Sequence, residues 1–212
     1  MVKLIVFDLD GTLIDSRHDL AGAVNHMRGS MGLEPLATER IVRFVGNGVA
    51  NLVRRAIADS DVDFEEALRR MKRYYAGHLV ETTALYPGVS RGLAELREAG
   101  IQLAVLSNKP TDASRRILDC LGVGGCFADI IGGDSDFPLK PEPDALFALM
   151  RKHNVPPEQC WMFGDHYTDL EAARRAGCHR ALARYGFGEP REEKFEFEVG
   201  SFPEFVMAIK GF

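Results

Sequence analysis

The chain has 212 residues, 46% hydrophobic and 27% charged, enough apolar material for a sizeable core in one domain with an insertion or in two small domains. A formal net charge of −5 excludes a global positive field for holding nucleic acid or an anionic membrane, so an anionic substrate has to be met by a local pocket and a metal. The opening MVKLIVFDLDG is too short an apolar run for a signal peptide or a span, and Cys120, Cys126, Cys160 and Cys178 show neither a CxxC pair nor a histidine at ligand spacing, so a reducing, cytoplasmic setting is expected.

In chain order, Leu4 to Phe7 is an unbroken apolar run, the pattern of a strand covered on both faces, and it ends in Asp8-Leu9-Asp10-Gly11. From Ser16 to about Ala84 the pattern changes to helical segments, Asp19 to Met31, Thr38 to Phe44, Val49 to Asp59 and Phe64 to Val80, with no buried strand among them. The stretch reads as a helical insertion that leaves after the first strand, returns at Leu85-Tyr86-Pro87-Gly88, and hinges near Asp15-Ser16 and Thr83 to Pro87. Helical and apolar segments then alternate. The helices are Val89 to Ala99, Asp112 to Leu121, Pro143 to His153 and Thr168 to Ala176; the strands are Ile101 to Leu106, Asp129 to Ile131, Cys160 to Phe163 and Ala181 to Ala183. Gly100, Gly122 and Gly177 stand at helix ends. Glu189 to Glu198 is expected to be a loop with a short edge strand, and Pro203 to Lys210 a last helix. This alternation predicts an α/β fold: a Rossmann-like parallel-sheet core with helices on both faces over residues 1–15 and 85–212, and a small all-helical cap over 16–84.

The chemistry-bearing residues follow the apolar runs. Asp8 and Asp10 lie at i and i+2 of an extended chain and so face one side, and Gly11 permits a sharp turn after them. Two carboxylates that close repel unless a cation or a shared proton relieves them, and Mg²⁺ suits carboxylate oxygens, waters and substrate phosphate. An EF-hand loop also begins D-x-D, but Leu13 stands where it needs glycine. Ser107-Asn108-Lys109-Pro110, Lys140-Pro141-Glu142-Pro143 and Gly164-Asp165-His166-Tyr167-Thr168-Asp169 follow later runs. In an open parallel sheet, ligands bind beyond the carboxyl ends of the strands, so all four groups are predicted to meet at one edge. No GxxxxGK[ST] occurs, which excludes a P-loop enzyme.

Together D-x-D-G-T-L-x-D, S-N-K, K-P-x-P and G-D-x-x-x-D, in this order from Asp8 to Asp169, resemble the haloacid dehalogenase superfamily of aspartyl phosphatases. Val45-Gly46-Asn47-Gly48, Ser107 to Thr111, Ile131-Gly132-Gly133-Asp134 and Ala172 to Cys178 are similar to its phosphoglycolate phosphatase group, although His166 stands where that group more usually has a small residue such as Ser. The resemblance implies a Mg²⁺-dependent phosphatase acting on a small phosphorylated metabolite through an aspartyl phosphate on Asp8, with Asp10 as acid and base. It implies metal ligation by Asp8, the Asp10 carbonyl and Asp165, phosphoryl contacts from Ser107 and Lys140, and support from Thr12 and Asp169, the latter orienting Lys140 or Ser107. Asn108 is expected at the substrate. Gly46, Asn47 and Gly48 offer backbone N–H groups to a carboxylate or second anion, with Arg43, Arg54 and Arg55 as further candidates. Pyrophosphatase, nucleotidase, sugar-phosphate phosphatase and phosphomutase activities use the same apparatus, and a monomer or homodimer is expected. An inactive binding protein would lack one of these residues, and none is missing.

Overall fold

A computed structural model describes residues 1–212. The chain opens with β1 (Leu4–Phe7) and a two-residue β2 (Ile14–Asp15), followed by α1 (Arg17–Ser30), α2 (Thr38–Val42), α3 (Val49–Ala56), α4 (Phe64–Gly77) and β3 (Ala84–Leu85). It continues through α5 (Val89–Glu98), β4 (Gln102–Leu106), α6 (Thr111–Cys120), β5 (Asp129–Ile131), α7 (Asp144–His153), β6 (Cys160–Gly164), α8 (Tyr167–Ala176), β7 (His179–Ala183), β8 (Phe197–Val199) and α9 (Phe202–Ile209). No helix is long and apolar enough to cross a membrane.

Six strands form one sheet in the order β5-β4-β1-β6-β7-β8, and every neighbouring pair is parallel. The apolar runs show no alternation because both faces are covered. In β1, Leu4 and Val6 join Leu146 and Leu149 of α7 and Ala172 and Ala173 of α8 on one face. Ile5 and Phe7 join Leu93 of α5, Ile117 of α6 and Phe205 of α9 on the other. Each Val, Leu, Ile or Phe among them, removed from water, contributes about 1.5–3 kcal/mol before the entropy of ordering is subtracted. β1 lies in the middle with β4 and β6 on its two sides, so the chain winds outward in both directions from it. That switch point opens a crevice beyond the strands' carboxyl ends.

Helices α1 to α4 stand outside the sheet, yet Leu52, Val53, Met71 and Leu79 belong to the same apolar cluster as Phe7, so they pack onto the core. The sequence predicted hinges at both ends of this stretch but no strand there. The structure adds a short antiparallel ribbon in which Ile14 pairs with Leu85 and Asp15 with Ala84. Two-residue strands carry no readable period, which is why the pattern did not show them. Asp19, in the first turn of α1, ties the two ends together. Its carboxylate accepts from the N–H groups of Glu81, Thr82 and Thr83 at 2.9–3.1 Å and from the hydroxyls of Thr82 and Thr83 at 2.5 and 2.7 Å.

Candidate active site

Asp8 follows β1, Ser107 follows β4, Asp165 follows β6 and Lys140 arrives from the loop after β5; each is under one-tenth exposed. Lys140 Nζ donates to Asp8 Oδ1 at 2.7 Å, to Asp169 Oδ1 at 2.6 Å and to the Leu106 carbonyl at 2.6 Å, which commits all three of its hydrogens. Asn108 delivers that lysine. Its Oδ1 accepts the Lys140 N–H at 2.9 Å, while its Nδ2 donates to the Lys140 carbonyl at 3.0 Å and to Gly46 O at 2.8 Å. Asp169 sits in the first turn of α8, where its Oδ2 also accepts the His166 N–H at 3.0 Å in a capping box. Of the two partners the sequence offered for Asp169, Lys140 and Ser107, it is Lys140 that it holds.

Asp165 Oδ2 accepts the N–H groups of Phe187 at 3.0 Å and Gly188 at 2.7 Å. Its carboxylate lies against Gly11, at φ +84°, where any side chain would collide with it. This leaves Asp8 Oδ2 and Asp165 Oδ1 as two carboxylate oxygens with no hydrogen-bond partner, and ligand atoms of Asp8, Asp165 and Asp169 lie within 4.8 Å of one another. The Asp10 carbonyl likewise receives no backbone hydrogen bond. Hard oxygen donors without protons of their own fit a divalent cation.

The electrostatics agree. Burial pushes the Asp8 carboxyl above its ordinary range against the pull of Lys140, with Asp169 adding to the rise. Burial, then Asp8 and Asp169, push Asp165 well above its ordinary range despite the two N–H donors. Burial works against the charge on Lys140, but Asp169 and Asp8 outweigh it and hold the ammonium. A cation between Asp8 and Asp165 would reverse the strain on both carboxylates.

Asp10 is held on both oxygens. Ser16 Oγ donates to Oδ1 at 2.5 Å, and Lys109 Nζ lies 3.1 Å from Oδ2. Ser107 is 3% exposed, with its Oγ accepting a long bond from Lys109 N at 3.3 Å. Thr12 is fully buried; its carbonyl accepts from Tyr185 Oη at 2.7 Å and its Oγ1 has no partner.

Asp8, Asp10, Ser107, Asn108, Lys109, Lys140 and Asp165 line a cavity of about 320 Å³ whose other wall comes from the helical stretch, including Val45, Gly46, Gly48, Val49, Leu52, Met71, Lys72, Tyr75 and Leu79. Two expectations change here. Asn108 reaches the wall, but both donors of its amide and one lone pair join protein loops, so it is a brace. Asn47 is turned away from the cavity: its Nδ2 donates to Tyr167 Oη at 2.8 Å and its Oδ1 accepts from Arg55 at 2.9 Å. The N–H groups of residues 46–48 do remain without protein acceptors. Arg55 folds back onto Phe44 O, Arg54 lies over the Phe64 ring, and neither they nor Arg43 reaches the wall.

Sequence reasoning missed three participants. Lys109 was in view within the Ser-Asn-Lys stretch, two residues from Ser107 and therefore on its side of an extended chain. Tyr75 gave no signal beyond helical periodicity. The Phe187–Gly188 turn that holds Asp165 looked like any loop. His166, the departure noted above, packs its ring against Gly46 and pairs Nδ1 with Thr168 Oγ1 at 2.9 Å. Burial pushes its pKa down to about 4, so the imidazole is neutral near pH 7.

Comparison with known proteins agrees with this geometry. A family model described as haloacid dehalogenase-like hydrolase matches residues 5–183. A phosphoglycolate phosphatase of Chromobacterium violaceum is 37% identical over 99% of this chain and 97% of its own length. One of Pseudomonas fluorescens is 41% identical over 89% of this chain and 72% of its own. A crystal structure described as that of a predicted phosphoglycolate phosphatase from Haemophilus somnus superposes with a TM-score of 0.94, at 31% identity over 98% of both chains.

Proposed function

The chain belongs to the haloacid dehalogenase-like hydrolases and is a phosphatase of that type, and we propose that its substrate is a small phosphate monoester bearing a carboxylate, with 2-phosphoglycolate the first candidate. The observation that carries the reading is the meeting of two buried aspartates, Asp8 and Asp165, each with one carboxylate oxygen left open toward the other's, beside the Lys140 ammonium. The names of the relatives support the choice of ester.

Asp8 is the nucleophile. One oxygen of its carboxylate attacks phosphorus, the bond from phosphorus to the ester oxygen breaks, and protonated Asp10 gives the departing oxygen its proton. Water then attacks the aspartyl phosphate while Asp10, now a carboxylate, takes a proton from it, returning Asp8 and inorganic phosphate. Lys140 places a fixed cation beside the Asp8 carboxylate, and Ser107 has a hydroxyl hydrogen to donate to a phosphoryl oxygen. Asp169 and Asn108 position Lys140, and Thr12 supports the turn after Asp10.

The Asp8 carboxylate, through the oxygen that does not attack, Asp165 Oδ1 and the Asp10 carbonyl would hold Mg²⁺. When bound, the ion neutralises charge on the phosphoryl oxygens and between the two carboxylates. Residues 16–84 act as a cap over the core of residues 1–15 and 85–212, narrowing the cavity and excluding water. A panel of phosphate esters assayed with Mg²⁺ and with chelator tests the whole reading. The highest kcat/KM is expected for 2-phosphoglycolate, with turnover lost on chelation. Preference for a hexose phosphate, a nucleotide or pyrophosphate overturns it.

A further inference from the structure

Lys109 and Tyr75 stand in the cavity with unused hydrogen-bonding capacity, and neither side chain bonds to Asp8, Ser107, Lys140 or Asp165. The Lys109 side chain is 4% exposed, and a buried ammonium is costly unless its donors are met. It has three hydrogens and two partners, Asp10 Oδ2 at 3.1 Å and Tyr75 Oη at 2.7 Å. Tyr75, 8% exposed, accepts from Lys109, and its own O–H has no acceptor in the protein. Two donors from opposite walls, β4's following loop and α4, therefore lie side by side with one hydrogen each to give.

We propose that Lys109 and Tyr75 together receive the carboxylate of the substrate and set the preference for esters whose carboxylate is attached to the carbon bearing the ester oxygen. The assignment rests on the reading of the chain as a phosphatase of a small carboxylated ester and locates the contact that makes the choice. Asp10 works at the ester oxygen, and Lys109 touches Asp10. In such an ester each carboxylate oxygen is three bonds from the ester oxygen, so a group that neighbours Asp10 is where that carboxylate has to fall. A longer acid would carry its charge past the pair.

The protonation state of Tyr75 suits the task. Burial raises the Tyr75 hydroxyl above its ordinary range, so it remains a donor. The other candidates for this anion are weaker. The 46–48 N–H groups carry no full charge, and Gly46 is covered by the His166 ring. Arg116 is 51% exposed at the mouth, where salt screens it.

The test is the ratio of kcat/KM for 2-phosphoglycolate over ethyl phosphate, an ester of similar length without the charge, measured with Mg²⁺ for the wild type and for Tyr75→Phe, Lys109→Met and Lys109→Arg. Tyr75→Phe removes one oxygen and keeps the packing, so it reads the contact even if Lys109→Met folds poorly. The ratio is expected to fall about 10- to 100-fold in Tyr75→Phe and in Lys109→Met, chiefly through KM, with Lys109→Arg recovering part of it. A ratio that holds in both Tyr75→Phe and Lys109→Met, including the case where both esters lose equally, overturns the assignment and reduces Lys109 to positioning Asp10. A wild type with no preference for the carboxylated ester overturns the substrate reading and the assignment with it.

Discussion

The strand tips contribute Asp8, Ser107, Lys140 and Asp165 to the cavity, each nearly buried and held by contacts that reach across as many as 132 residues of sequence. The facing helices contribute mostly apolar side chains, Val45, Val49, Leu52, Met71 and Leu79 among them, with the Tyr75 hydroxyl and the Lys72 ammonium as polar groups. A buried charge survives only where partners are fixed around it, and a sheet whose strand ends converge can fix them. Helices packed by apolar contact supply shape instead. Chemistry and choice of substrate are thus written on opposite walls, with Lys109 and Tyr75 joining them.

The sharpest way to break this division is Asp8→Asn. It keeps the shape and removes the nucleophile, so kcat should fall at least about 10⁴-fold, about 5.5 kcal/mol of barrier, with the melting profile still cooperative. Residual turnover near the wild-type rate would remove the covalent step. Next in size is Lys140→Met, which leaves Asp8 and Asp169 buried without their shared cation. Stability should drop by about 3–5 kcal/mol in urea titrations, because an uncompensated buried charge costs more than the pair contributed. A loss under 1 kcal/mol would mean the two carboxylates had found water or protons.

Mg²⁺ offers a third measurement. At one hundred times its dissociation constant it should stabilise the protein by about 2.7 kcal/mol, an effect that Asp165→Asn should largely remove. Asp8 and Asp165 both titrate above their ordinary range without the ion. They take up protons earlier as pH falls, so Mg²⁺ affinity, read by calorimetry, should weaken on acidification from a pH well above the ordinary carboxylate value of about 3.9. Affinity flat down to that value would place the ion elsewhere.

Much of the core wall was legible because its signals are local. A strand covered on both faces announces itself as an apolar run, and the residue after such a run sits at the ligand edge; that logic located Asp8, Ser107, Asp165 and, with its loop, Lys140. The facing wall was less legible. Tyr75 is one of two adjacent tyrosines in α4, and nothing in helical period says which of them meets Lys109. The side chains of Asn47 and Asn108 are taken up by loop-to-loop bonds visible only in three dimensions, while the backbone N–H groups of residues 46–48, on which the reading of that turn rested, stay without protein acceptors. The ribbon of β2 and β3 was too short for any pattern.

The smallest expected effect lies at the joint between the two walls. Asp19 gathers three N–H groups and two hydroxyls from residues 81–83, so Asp19→Asn, which keeps its size but supplies one acceptor oxygen instead of two, should cost about 1–2 kcal/mol near pH 7. Burial would raise the Asp19 carboxyl, but hydrogen bonds from Thr82 and Thr83 outweigh it and hold the group below its ordinary range. A carboxylate whose folded pKa is depressed contributes its stability above the unfolded value of about 3.9 and loses it as pH falls through the folded value. The difference between wild type and Asp19→Asn, measured by urea unfolding at a series of pH values, should therefore be full at pH 5 and above and shrink as the solution is acidified below about pH 4. A difference that stays constant across that range would mean that packing in the first turn of α1, and not the charge, closes the ends of the cap.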